Sequence, residues 1–233
     1  MNRLLAVARM HLVHPLVILG VPWMVVGISF AINLPIWALG DIAEQAGDSG
    51  FTGGLASLYI TVLIVFVQAV TQMFPFAMGV SLSRRTFYAG TALVALVQAL
   101  GYGTALTLLD AVENATGGWG VGLAFWGPGP IDVGNPALQV AVYALPMLAC
   151  AFLGMCIGSV SKRWGTTGLW TLGMSTLLVV GGLGVLLTWQ RAWGNLGRWL
   201  VDQSVYEYTI LLPTVAAVVL AGMTWTALRR SVP

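Results

Sequence analysis

The chain has 233 residues, of which 58% are hydrophobic and 8% charged, and its formal net charge is +2. A soluble domain carries about 25% charged residues, so this composition leaves too few polar groups to clothe a globule. It excludes a soluble domain and a nucleic-acid partner, and it points to an all-α integral membrane protein.

Runs free of Asp, Glu, Lys and Arg extend over Met10–Gly40, Ser49–Ser83, Thr86–Leu109, Val133–Ser161, Trp164–Gln190 and Tyr208–Leu228. Each exceeds the roughly 20 residues a helix needs to cross about 30 Å of hydrocarbon, and none alternates as a membrane strand does. Six helical spans are expected, at 16–39, 56–78, 87–109, 138–160, 166–190 and 209–228, forming one transmembrane domain over 15–233. All eight acidic residues fall in gaps on one side of this pattern, and eight of the ten basic residues fall on the other. Short loops rich in Lys and Arg stay cytoplasmic, so both ends and the Arg84–Arg85 and Lys162–Arg163 loops are expected inside. Arg191 and Arg198 dissent, offset by Asp202 and Glu207.

Residues 1–14 are not expected to be a cleaved signal, because the apolar run that follows is far longer than a signal core and no small-x-small site closes it. As a helix they put Leu4, Leu5, Ala8 and Leu12 on one face and Asn2, Arg3, Arg9 and His14 on another, the pattern of a helix lying in the cytoplasmic headgroup layer. A basic tail that only sets topology is the simpler alternative. Within the spans the polar candidates are Asn33, Gln68, Gln72, Gln98 and Gln139, which either bond between helices or line a pathway. The outer segment 114–136 is rich in Gly and Pro and carries Trp119, Phe125 and Trp126, which read as interfacial aromatics. In the fourth span Cys150 and Cys156 read as small packing residues, while Gly154 and Gly158 form a small-xxx-small pair that admits a neighbouring helix. Gly181, Gly182 and Gly184 in the fifth read as a packing face or a hinge. The outer stretch 189–206 holds Trp189, Trp193, Trp199 and Tyr206, either an aromatic belt or a short helix in the outer leaflet.

No Asp, Glu, Lys, Arg or His lies within the spans, which argues against an ion-coupled carrier or proton pump. Ser175 has no intramembrane histidine to activate it, so a serine protease is not expected. His11 and His14 have no cysteine or carboxylate on their side to complete a zinc shell, so no metal is expected. Lys162, the one lysine, lacks the glycines of a phosphate-binding loop; any ATP and Mg act on another chain. These absences leave no catalytic residue and no cofactor of this chain's own.

The most specific stretch runs from Gln72 to Thr91 and joins the second and third spans on the cytoplasmic side. Pro75 is expected to end or kink the second helix and Gly79 to permit the reversal, with Phe74 and Phe76 as apolar anchors at the rim and Arg84 and Arg85 as charge for acidic headgroups or a partner. An ordinary basic turn is the plain alternative. In Phe74, Pro75, Phe76, Gly79, Ser83, Arg84, Arg85 and Phe87 the segment resembles the element joining the second and third helices of type-2 ATP-binding-cassette (ABC) exporter permeases, with a longer spacer between Gly79 and Arg84. The resemblance extends to an N-terminal interfacial helix, six spans, cytoplasmic ends and a polar-aromatic outer segment. It implies a permease subunit of the plasma membrane, of a bacterial inner membrane, paired with a second permease subunit as homodimer or heterodimer. It implies also two copies of a soluble ABC ATPase, on which residues 74–87 dock as a coupling helix. The rival reading is a non-transporting membrane scaffold or immunity-type protein; a membrane enzyme is disfavoured by the missing acid, base and metal cluster.

Overall fold

A computed structural model describes residues 3–11, 13, 15–40, 52–127, 131 and 133–229. His14, Asp41, Glu44, Asp48, Asp132 and Arg230 therefore lie outside the described residues, as do parts of the loops they occupy. The chain is all-helical, with no strand among the described residues: α1 (Arg3–His11), α2 (Val21–Leu39), α3 (Ala56–Gln68), α4 (Phe74–Gly79), α5 (Arg84–Ala115), α6 (Pro136–Trp189), α7 (Trp193–Asp202) and α8 (Leu212–Leu228).

Five helical stretches are long and apolar enough to cross a membrane: Leu16–Leu39, Gly53–Gly79, Arg84–Ala115, Pro136–Trp189 and Glu207–Leu228. They are compatible with a multi-pass membrane protein. The fourth and fifth expected spans share the 54-residue α6, which at 1.5 Å per residue is far longer than one crossing needs. Gly165 breaks its helical geometry, with φ 62° and ψ −152°, a conformation open to glycine.

Prolines shape the ends of three of these stretches. Wide π turns at Leu16–Gly20, Ala69–Met73 and Glu207–Leu211 each finish two residues before a proline, Pro22, Pro75 and Pro213. A proline has no N–H for the carbonyl four residues back and its ring presses on that carbonyl; a wider turn relieves the clash. Of the two expected outcomes, an end or a distortion of the helix, Pro75 gives the second. The 53–79 stretch runs through the π turn and on to Gly79.

The carbonyls released before Pro22 are taken up by α5. Ile18, four residues before Pro22, receives the Gln98 side-chain amide at 3.0 Å, and Leu19 receives the Tyr102 hydroxyl at 2.8 Å. Gln98 and Tyr102 are one turn apart on α5, so a single face of that helix completes the start of α2. The starts of α5 and α6 are capped locally. Asn135 accepts from Ala137 N–H at 2.9 Å and precedes Pro136 at the first position of α6, while Ser83 accepts from Thr86 N–H at 3.1 Å to open α5.

Close packing follows glycine. A side chain at Gly154 would run into the Leu63 carbonyl, and one at Gly158 would meet Val70 Cβ at 2.9 Å and the Val67 carbonyl at 3.0 Å, so α3 and its π turn press directly on α6. Gly103 of α5 similarly faces Val140 O of α6 at 2.8 Å. Around these contacts Leu58, Val62, Phe66, Leu106, Tyr143, Met147 and Met155 form the core. A Cβ at Gly181, Gly182 or Gly184 would meet nothing within 4 Å, so these glycines serve no packing face within this chain. Outward, Met24, Ile28, Ile32 and Ile36 form an exposed apolar stripe along α2 and residues 169–186 of α6 are exposed along nearly their whole length, which suits lipid rather than water.

Helix α1 packs on α5. Val7 and His11, one turn apart, are buried, and Ala8 and Met10 join them in part, while Arg9 stays exposed. Val7 and His11 centre the buried face among the described side chains; of the expected Leu4–Leu5–Ala8–Leu12 face only Ala8 is described, half-buried, and the other three side chains lie outside the described residues.

Candidate functional site

The expected coupling segment folds as an elbow. After α4, Val80–Leu82 reverse the chain, and the left-handed conformation falls on Ser81, with φ 61°, rather than on Gly79, which remains helical. Ser83 then caps α5 with its hydroxyl.

The two ends of the elbow are locked together inside the protein. Phe74 and Phe87 are both 0% exposed and meet edge to face with centroids 5.4 Å apart, so neither is the rim anchor that the sequence reading assigned to Phe74. Phe76, by contrast, is 63% exposed, beside exposed Gly79 and Val80. Half-buried Pro75 holds the first turn of α4.

The arginines part company. Arg84 donates from Nη1 to the Arg229 carbonyl at 2.8 Å, closing the last turn of α8, whereas Arg85 is exposed at a groove between α5 and α8. Tyr88, one turn further along α5, donates to the Ala221 carbonyl at 3.0 Å and contacts the Trp225 ring at 5.5 Å. On the other flank His11 Nε2 lies 2.9 Å from Thr91 Oγ1, and its ring packs by Phe87 at 6.3 Å. Burial lowers the His11 pKa from 6.5 to about 4, so the ring is neutral and the Thr91 contact joins two uncharged groups. Elbow, α1, α5 and α8 are therefore joined by side chains within one turn or two of residues 84–91.

At the opposite end of α5 lies a cluster the sequence reading missed. Asp110 and Glu113, read only as outer-loop charges, are 4% and 3% exposed. The Glu113 carboxylate accepts the main-chain N–H groups of Phe125, Trp126 and Gly127 at 3.0–3.2 Å and the Trp119 indole N–H at 3.0 Å. Asp110 accepts the Tyr143 hydroxyl and the Asn114 amide, each at 3.1 Å. Positive φ at Gly117, Gly118, Trp119, Gly120 and Gly122 turns the chain back over these acids. Glycine-rich sequence four to nine residues beyond a glutamate was the available signal, since such backbone readily turns following N–H groups toward one anion.

Phe125 and Trp126 are buried here, packed with Phe30, and Trp37 Nε1 donates to the Gly122 carbonyl at 3.2 Å. These aromatics are the core of a folded cap, which corrects their reading as an interfacial belt. The later outer stretch does form a short helix, α7, with Trp193 and Trp199 exposed.

The polar candidates within the spans separate by role. Gln98 bonds to α2, and Gln139 bridges Val133 N–H (2.9 Å) and the Ile131 carbonyl (3.1 Å) at the entry to α6. Asn33 donates within its own helix to Ser29 O, and Gln68 and Gln72 are exposed. Cys150 and Cys156 are free thiols, half-buried and buried within α6. No protein-family model matches the chain, and neither a curated protein nor a solved structure does.

Proposed function

We propose that this chain is the membrane-spanning permease subunit of an ABC exporter, moving substrate with ATP hydrolysed by a separate ATPase. The observation that carries the reading is the elbow at residues 74–87. It offers exposed Phe76, Gly79 and Val80 at its tip while Phe74 and Phe87 clamp its two arms.

A tip of this kind can work as a lever. Force applied at Phe76 passes through the Phe74–Phe87 contact into α3 and α5. From α5 it reaches α1 through His11–Thr91 and α8 through Arg84–Arg229 and Tyr88–Ala221. The first half of α6 follows because Gly154 and Gly158 leave no slack against α3. In this reading Gly165 divides α6 into two crossings, which makes six, with α1, the elbow and the end of α8 cytoplasmic. Two ATPase copies grip two such elbows, and their closure on ATP shifts the paired permease subunits between inward-open and outward-open states. The Glu113 cap covers the outer end.

Capture of an ATPase tests this. The chain, purified in mild detergent from cells that also express the soluble Walker-motif ATPase of the neighbouring reading frame, should retain that ATPase. Phe76→Ala with Val80→Ala should release it, both residues being exposed so that the fold survives. A chain that never retains an ATPase defeats the exporter reading in favour of a scaffold. Phe74→Ala is the wrong probe, because emptying a buried phenylalanine site costs about 3–5 kcal/mol in packing alone.

A further inference from the structure

The groove beside the elbow has a composition that the lever leaves unused. It occupies about 580 Å³ between α5 and α8 and is lined by Arg85, Tyr88, Ala89, Ala221, Gly222 and Trp225. Arg85 stands at its charged end, exposed, and no described residue pairs with it.

Among the described residues no acidic side chain is near enough to serve. The described carboxylates are Asp110, Glu113, Asp202 and Glu207, which sit at the far end of α5 and before the start of α8, whereas the groove lies at the start of α5 and the end of α8. Arg84 and Arg229 add two guanidinium groups at the same end, and the first turn of α5 contributes the positive pole of a 32-residue helix. The site therefore attracts an anion, and the described residues supply none.

Beyond Arg85 the lining is apolar and small. Ala89, Ala221 and Gly222 make a low floor, with open space where a Gly222 side chain would stand. Tyr88 and Trp225 form one wall, and the Tyr88 hydroxyl ties that wall to α8 at Ala221. Aromatic rings beside a basic residue are the usual furniture of a membrane interface.

We propose that this α5–α8 groove binds an anionic phospholipid, with its phosphate on Arg85 and an acyl chain along Ala89, Gly222 and Trp225. The inference rests on the membrane placement of the elbow end, but not on ATPase coupling. Phosphate alone would use Arg85 and leave the apolar length of the groove empty. An acidic protein segment would likewise have no use for a floor of alanine and glycine.

Lipid retention measures it. The full chain, purified without any ATPase from micelles holding equal phosphatidylglycerol and phosphatidylcholine, is examined by native mass spectrometry. Phosphatidylglycerol should be retained in preference, and Arg85→Gln should reduce that preference about fivefold, the worth of one arginine at an anionic surface, while Arg85→Lys keeps most of it. Trp225→Leu should weaken retention of both lipids. Equal retention of the two lipids, or a preference indifferent to Arg85→Gln, overturns the proposal. Full displacement by millimolar inorganic phosphate overturns it in favour of a free-phosphate site. Failure of ATPase capture by Phe76 variants leaves this outcome untouched, so the two readings fail separately.

Discussion

Glu113 holds the 117–127 segment to the end of α5. Its carboxylate closes three consecutive main-chain N–H groups and the Trp119 indole, and a buried donor left without an acceptor costs about 1–3 kcal/mol. Glu113→Ala should therefore lose several kcal/mol locally and release the 117–127 cap, measured as rapid proteolysis at that loop and a lower unfolding temperature in detergent. Glu113→Gln should fall between, since an amide offers one acceptor oxygen and turns an NH2 toward donors. An unchanged cleavage pattern in the alanine variant would refute this role. From sequence, Asp110 and Glu113 were indistinguishable from loop charges that set topology. Burial of a carboxylate depends on which backbone folds over it, and that backbone lies twelve and more residues away.

At the scale of elements, α1 is held to α5 by a titratable group. His11 has a pKa of about 4 when buried against an ordinary 6.5, so the undocked helix binds the proton more readily than the docked one. Docking is fully supported above pH 6.5 and weakens as pH falls from 6.5 toward 4. Amide exchange over residues 3–11 should rise across that window in the parent chain, and His11→Gln should flatten the dependence; a parent chain with no such rise would show that α1 is held by Val7 and its apolar neighbours alone. The elbow shows how much of an element the sequence discloses. The capping role of Ser83 went unread, whereas the reversal between two apolar runs was legible. The π turns were not, because a proline dictates a clash while its surroundings choose between ending, kinking and widening the helix. Gln98 and Tyr102 make widening affordable at Pro22 by accepting duty for the Ile18 and Leu19 carbonyls. Phe74 and Phe76, two residues apart beside a proline, were equivalent on paper, and only the position of Phe87 buries one of them.

For the whole molecule, the described residues put the elbow and the end of α8 at one pole, joined by Arg84 and Arg229, and the Glu113 cap at the other. With Cys150 and Cys156 replaced by alanine, Val80→Cys should react with an impermeant maleimide only from the cytoplasmic side, and Asn195→Cys only from outside. Labelling of both from the same side would overturn the six-crossing arrangement. Composition, the length of the uncharged runs and the division of charge were enough by themselves to establish an all-helical chain suited to a membrane and to predict which loops share a side, because lipid penalises charge residue by residue. The small-xxx-small pair at Gly154 and Gly158 was legible for the same local reason, although its partner at Leu63–Val70 was not. Tertiary structure alone decided that α1 lies on α5, that Phe74 is core and Phe76 surface, and that two acids are buried beneath a glycine-rich cap. Each of those outcomes depends on contacts between segments far apart in the chain, and a hydropathy pattern records only what a residue avoids, not which neighbour it meets.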